Sequence, residues 1–279
     1  MLDQILVYPL LNALVLIYHG LFFLHIPYAL GFSIIILSVL IRLAMYPMTS
    51  SQLKASKKMQ DLAPHIKNLK EKHKGDNARI QKETMLLYKE HGVNPASGCV
   101  SAIIQMGIVI GGLYPAFNEV LRLEPAKAIA EINSKILYSP ALKITSPWDT
   151  HFFGLPLGLA PSNLVNVLPL VLLVPLLTAL FQFVQSKMMF SPVVQDPKAI
   201  VVKGKEEEKK SGGDDFATAM QSQSMYLFPA MIAISAYNFP IGLSLYWNTF
   251  TIFGILQQYK ISGLGSLHTL AIWKKKIHK

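Results

Sequence analysis

Acidic residues are missing from every long apolar run of this chain. The 279 residues include 16 Asp and Glu, and none falls within 28–48, 96–117, 164–184, 224–238 or 241–258. A proton relay, an aspartyl protease or a cation-coupled carrier needs a carboxylate there, so the composition argues against all three. Cysteine is nearly absent too: Cys99 stands alone, which excludes a disulfide framework and a thiolate metal cluster. The eight histidines are scattered, with no His-x-x-x-His pair and no Cys/His spacing suited to zinc. Val202-Lys203-Gly204-Lys205 lacks the glycine-rich cradle and the following Ser or Thr of a phosphate loop. Ser38 has no Lys or His beside it in its apolar run, so a serine nucleophile would have no base. No catalytic set, cofactor or metal is expected. No internal repeat is visible, against the inverted-repeat transporters. Met1-Leu2-Asp3-Gln4 lacks the basic region of a signal peptide, and no lipobox cysteine is present.

What is present is apolar length. Hydrophobic residues make up 52% of the chain and the mean hydropathy is +0.37. The apolar residues fall in separate runs, the pattern of a polytopic helical membrane protein with sizeable polar loops. The runs are too long and unbroken for the alternating strands of a barrel. The expected fold is therefore an all-α polytopic membrane protein: a five-span helical core with an N-terminal interfacial helix and a cytoplasmic helical hairpin. The expected boundaries are an interfacial helix over 1–26, a core over 27–260 and a basic tail over 261–279. Within the core, the five runs named above are the spans, with a hairpin over 50–94, an outer segment over 118–163 and a loop over 186–222.

Charge orients these pieces. The net charge is +10, and the block from Gln52 to Asn94 carries ten Lys/Arg against five Asp/Glu. Beyond Gln258 there are five Lys and no acid, whereas Glu119 to Asp149 balances four against four. By the positive-inside rule the first block and the tail are cytoplasmic and the balanced stretch is outside. Basic charge beside the spans also suits anionic lipid and ribosomal RNA.

Residues Leu2 to His25 are long enough to span. They also fit a helix lying in the interface with Asp3, Gln4, Asn12 and His19 on the wet side, and that reading is preferred because charge counting then works better. Ile26-Pro27 separates this helix from the next. In the basic block, Met59, Leu62, Ile66 and Leu69 recur at helical spacing, as do Ile80, Thr84 and Leu87. Pro64 breaks or kinks the first arm, and Asp76 or Asn77 caps the second after the Lys74-Gly75 turn. Two helices on the lipid surface are the alternative to a hairpin. Gly107, Gly111 and Gly112 permit close helix approach in the second span. A short helix is expected near Pro125–Lys135, kinks at Pro169 and Pro175, and an unstructured middle for the stretch from Ser191 to Met220.

Arg42 is the one full charge inside the first core span. From Tyr28 to Met48 is about twenty residues, or roughly 30 Å of helix. An unpaired Arg at mid-bilayer costs roughly 2.5–3.5 kcal/mol. Two readings of it stand open: snorkelling to the headgroups about 9 Å away, or a functional polar site. Other polar residues inside the spans are Ser33, Ser38, Gln105, Gln182, Ser244, Tyr246, Trp247 and Asn248. Singly, each has an ordinary explanation as a backbone-bonded serine, an interface aromatic or inter-helix glue. Together, around an arginine without acids, they suggest an open, wet groove of positive potential.

Several ordered motifs carry a family resemblance. Ile34 to Pro47 is followed by Met59-Gln60-Asp61-Leu62-Ala63-Pro64, then by Gly92-Val93-Asn94-Pro95, Gly98-Cys99 and Ile104-Gln105-Met106. Ser191-Pro192-Val193-Val194-Gln195-Asp196-Pro197 comes next, then Phe239-Pro240-Ile241-Gly242-Leu243-Ser244-Leu245-Tyr246-Trp247, ending at Gln257-Gln258. In this order, from about Tyr8 to Lys260, they resemble the YidC/Oxa/Alb membrane protein insertase family. The resemblance implies a hydrophilic groove open to cytoplasm and lipid, with Arg42 as its arginine, Ser38 a groove position, and Tyr246 and Trp247 where substrates slide. With Gln105 and Gln182 these form the expected substrate-binding groove. The family inserts small membrane proteins without nucleotide or metal, so no enzyme is expected. The implied partners are nascent membrane proteins, lipid bilayer, the ribosome and a targeting factor, and the Sec translocon, but no DNA. The implied setting is a monomer in the bacterial inner membrane. Ser101 and Gly107 stand where relatives usually have proline, the Lys198–Ala219 region is longer than the resemblance implies, and the large outer domain of some relatives is not expected. The rival readings are a small-anion channel or carrier and a membrane assembly scaffold.

Overall fold

Proline and left-handed residues set the helix limits. The computed structural model describes residues 3–73, 75–94, 103–105, 107–121, 125–135, 138–145, 148–189, 214–265 and 267. A π-helical turn, Asp3–Val7, leads into α1, Tyr8–Phe23, with Pro9 in the first turn where its missing N–H costs nothing. Pro27 and the left-handed Tyr28 (φ 56°) redirect the chain into α2, Ala29–Ala44. α3 spans Tyr46–Asp61 and α4 spans Ala63–Lys72, with Pro64 in the first turn of α4. Pro64 therefore ends one helix and opens another. Asp76 caps α5, Asn77–Glu90, its Oδ1 accepting from Arg79 N at 3.0 Å.

A second π-helical turn, Val109–Leu113, runs into α6, Tyr114–Val120, and α7 is Pro125–Lys135. Two short antiparallel strands follow, β1 His151–Phe152 and β2 Leu155–Pro156, closed by Phe153 and Gly154 at positive φ. α8, Pro161–Leu164, precedes a 3-10 turn, Pro169–Leu172, which leads into α9, Leu173–Met189. α10, Asp214–Asn238, contains Pro229, and α11 is Ile241–Ser262. The chain is an all-α membrane protein. Asp3–Phe23 and Pro169–Met189, each 21 residues, are long and apolar enough to cross a membrane, and Ala29–Ala44 with Tyr46–Asp61 qualifies as a broken pair.

Three features differ from the sequence reading. The 3-10 turn and α9 begin only at Pro169, because 165–168 turn ahead of that proline, and α9 runs on to Met189. α10 starts at Asp214, inside the stretch read as loop. Two acids stand at its N-terminus, where the helix dipole favours them, and Ala217, Ala219, Met220 and Gln221 follow with good helix propensity. The β1–β2 turn had no periodic signal because its strands are two residues long. Lys74, Gly98, Cys99, the Ser191–Pro197 motif, Lys205 to Gly213 and the Lys274–Lys276 cluster lie outside the described residues.

Two compact units make up the chain. The first comprises Met1–Tyr46, Ala102–Gln182 and Ala230–Gly254. Its core gathers Leu11, Leu14, Val15, Leu30, Ile34, Leu113, Phe117, Ile132, Leu157 and Tyr246, each almost fully buried. Asn12 is turned inward and His19 is half-buried. Asn12 is buried, its Oδ1 accepts from Tyr138 N at 2.8 Å, and its Nδ2 donates to Tyr8 O at 2.7 Å. His19 Nε2 donates to Leu142 O at 3.1 Å. These polar groups tie α1 to the 138–142 segment, since an inward amide must find a partner. A Cβ on Gly112 would lie 3.0 Å from Leu10 and 3.4 Å from Leu6, so its bareness permits the approach of α1. Gly111 meets Leu6 at 3.5 Å, and Gly107 meets nothing within 4 Å. Gly31 is more demanding: a Cβ there would overlap the Phe152 ring outright.

The second unit comprises Pro47–Ser101, Phe183–Pro229 and Ile255–Lys279. Leu53, Leu62 and Ile80 are its buried apolar positions on α3, the following turn and α5, while Met59, Ile66, Leu69 and Leu87 are half-buried. Gln257 Nε2 donates to Ser50 Oγ at 3.0 Å, and Gln60 Nε2 to Met189 O at 2.5 Å. Lys187 Nζ lies 5.6 Å and 5.9 Å from the ring centres of Phe183 and Tyr226.

The Gly31 contact makes a direct prediction. Gly31→Ala should destabilise the protein by about 1–3 kcal/mol through overpacking, and Phe152→Leu in the same background should recover most of that loss. Thermal unfolding in detergent reads both, and a Gly31→Ala protein as stable as wild type contradicts the packing.

Candidate functional site

Two stripes of residues four apart build the site. On α2, Leu30, Ile34, Ser38 and Arg42 follow one another along one face and are 0%, 0%, 0% and 3% exposed. On α11, Tyr246 and Phe250 are 1% and 8% exposed, and Gly254 is buried. Residues four apart stack on one helix face, so Arg42 is carried inward by the same stripe that fills the core.

The guanidinium ends on Phe250. Arg42 Nε donates to Phe250 O at 2.9 Å, and Arg42 Cζ stands 3.5 Å from the centre of the Phe250 ring. Among the described residues Arg42 makes no ion pair. One of five N–H donors is thus bonded, and the cation faces a ring whose negative face attracts it by about 2 kcal/mol when desolvated. Of the two open readings, snorkelling does not describe this geometry, because the charged head lies across α11 under protein cover.

The other expected site residues divide. Ser38 Oγ donates to Ile34 O and Ser33 Oγ to Ala29 O, both at 2.6 Å, so each hydroxyl proton is spent on its own helix. Gln182 is buried and accepts at Oε1 from Trp247 Nε1 at 3.3 Å, joining α9 to α11 within the first unit. Trp247 is half-buried. Tyr246 turns inward, its ring centre 5.6 Å from Phe117 and 5.5 Å from Phe250. Gln105 is half-buried and makes no side-chain hydrogen bond to a described residue. The structure thus groups Arg42 with Tyr246 around Phe250 and pairs Gln182 with Trp247, while Gln105 makes no side-chain hydrogen bond to a described residue of either group.

α11 holds further polar atoms under cover. Ser244 Oγ, Tyr246 Oη and Asn248 Oδ1 are buried without a hydrogen bond to any described residue. Three such atoms within five residues are unusual, since nearly all buried polar groups are bonded. Phe250 was missed by sequence reasoning: its carbonyl has no side-chain signature, and the only signal was its place four residues beyond Tyr246. Among the described residues no cluster of three or more His, Cys, Asp or Glu could hold a metal ion.

Residues 22–265 match the family model described as "60Kd inner membrane protein". The chain belongs to this family. It is 31% identical over 253 residues to the inner membrane protein ALBINO3 of Arabidopsis thaliana chloroplasts, covering 88% of this chain and 49% of that protein. It is 32% identical over 237 residues to the membrane protein insertase YidC of Streptomyces avermitilis, covering 83% and 50%. It is 31% identical over 237 residues to the membrane protein insertase MisCA of Bacillus subtilis, covering 84% and 70%. The chain spans about half the length of the first two. This is the 60Kd inner membrane protein family, of which the YidC/Oxa/Alb proteins are members, and Arg42, Tyr246, Trp247 and Phe250 all lie inside the matched region.

Among the described residues Arg42 has no carboxylate to strand, so removing its charge gives up only the carbonyl and ring contacts, which the recovered insertion cost offsets. Arg42→Met should leave thermal stability in detergent unchanged or raise it, by up to about 2.5 kcal/mol if the full insertion cost is recovered. A fall of several degrees would mean that the guanidinium holds the helices together.

Proposed function

We propose that this chain is a membrane protein insertase whose working group is Arg42. The carrying observation is an arginine buried among apolar helices without a counter-charge among the described residues, in a chain whose relatives include proteins named membrane protein insertase. A site of this kind is short of one negative charge. The acidic segment of a nascent membrane protein supplies it, drawn by an attraction that low dielectric strengthens. With Ser38, Gln105, Gln182, Tyr246 and Trp247, Arg42 forms a polar groove that shortens the hydrocarbon barrier. The substrate's apolar segment then leaves along α9 and α11 into lipid, driven by roughly 25 cal/mol for each Å² of apolar surface removed from water. No covalent bond is made or broken, so the activity is not enzymatic.

In this reading the protein works as a monomer in the bacterial plasma membrane. Its basic helices α3 to α5 are cytoplasmic and receive the chain from the ribosome or a targeting factor, alone or beside a Sec translocon. It acts as a chaperone in the sense that it shelters the segment until release.

Arg42→Ala should slow insertion of a single-span substrate with an acidic N-terminal segment about tenfold in reconstituted vesicles, and Arg42→Lys, which keeps the charge without the planar fork, should restore part of it. A photo-crosslinking residue at the half-buried Trp247 should capture a ribosome-stalled nascent segment at a defined chain length. Full activity of Arg42→Ala on acidic and neutral substrates alike rejects the charge mechanism. Insertion that does not depend on this protein, with no crosslink, rejects the insertase and leaves an anion channel, tested by conductance, or a scaffold.

A further inference from the structure

We propose that Phe250 is the positioning residue for Arg42: its carbonyl and its ring hold the guanidinium on α11 with the remaining donors free for an incoming acceptor. Two contacts from one residue define the pose. The Nε bond to Phe250 O at 2.9 Å fixes one edge of the guanidinium, and the ring 3.5 Å from Cζ fixes its place above the aromatic face. A rigid planar cation needs no more than these to be oriented.

The surroundings suit a holding device. Phe250 O lies inside α11 and can accept a second hydrogen bond through its other lone pair. A helical side chain lies over the turn N-terminal to its own Cα, so the residue four positions on would normally cover this carbonyl. That residue is Gly254, which has no side chain to do so. Tyr246 packs on the other side of the Phe250 ring, with centres 5.5 Å apart, and limits its rotation. Among the described residues no carboxylate holds Arg42 from within. A carboxylate partner would cancel the charge; a carbonyl and a ring hold the cation while leaving it a full positive charge. The four unbonded N–H groups are then suited to a carboxylate in the bidentate geometry that arginine favours.

In insertion terms this role rests on the insertase reading; as a description of Arg42 it does not. The test therefore has two readouts. The chain has three arginines, so protein labelled with 15N-arginine gives three Nε–H signals, of which Arg42→Lys identifies one. Wild type and Phe250→Tyr, which keeps the ring, should show that signal shifted by the ring current and protected from exchange. Phe250→Leu should lose the shift and exchange about fivefold faster, and Phe250→Met serves if the leucine variant does not fold. In vesicles, Phe250→Leu should lower the preference for an acidic-tailed over a neutral-tailed substrate about fivefold, while Phe250→Tyr keeps it. An Arg42 signal indifferent to the ring overturns the proposal, as does an equal loss on both substrates, which would be packing alone. If wild type inserts neither substrate, the insertase reading fails, and the Arg42 signal alone decides whether Phe250 positions it.

Discussion

A positive charge with no negative partner among the described residues, buried in a bundle of apolar helices, is the constraint around which this protein is arranged. The usual remedy is absent, since no acid occurs in the apolar runs, although Arg42 stands in the last turn of α2, where the helix dipole favours a cation. Its stabilisation comes instead from a main-chain carbonyl and the face of a ring. Neither neutralises it. Buried ion pairs are satisfied internally and have little left to offer a ligand. A buried cation held by dipoles keeps its field, and in low dielectric that field is strong. The same feature that costs stability is what a binding site for an acidic segment requires.

The rest of the first unit keeps Arg42 in place with ordinary means. Ser33 and Ser38 return their hydroxyl protons to α2, so each is satisfied within its own helix. Gly31 clears room for Phe152, and Asn12 binds α1 to the 138–142 segment, which anchors the end of α2 remote from the charge. On α11, Tyr246 braces the Phe250 ring while Trp247 reaches the other way to Gln182. Adjacent residues on one helix thus serve two different neighbours.

Much of this was legible before any coordinates. The helical class followed from apolar length, the α4 start from Pro64, and the α5 cap from Asp76. Gly112 receives Leu10 of α1, and Gly111 and Gly112 receive Leu6 of the preceding turn, as small residues do. Misreadings arose where a residue's partner lies far away in sequence. Asn12 and His19 looked like a wet face because polar residues on an apolar helix usually are, but the donor to Asn12 Oδ1 and the acceptor of His19 are more than a hundred positions distant. The Asp214 start of α10 was hidden because polarity suggested loop, whereas propensity at those positions favours helix.

By itself the amino-acid order determined that the chain forms apolar helices, where prolines divide them, that the arginine lies on the same four-residue stripe as Leu30, Ile34 and Ser38, and that no acid stands near it. These are local or periodic properties, and periodicity survives in one dimension. Tertiary structure alone decided that the arginine lies on Phe250, that Tyr246 is core while Trp247 pairs with Gln182, and that Asn12 is a structural link. Each depends on contacts between segments far apart in the chain, and the principal acceptor is a backbone carbonyl, a group every residue carries and no sequence pattern marks.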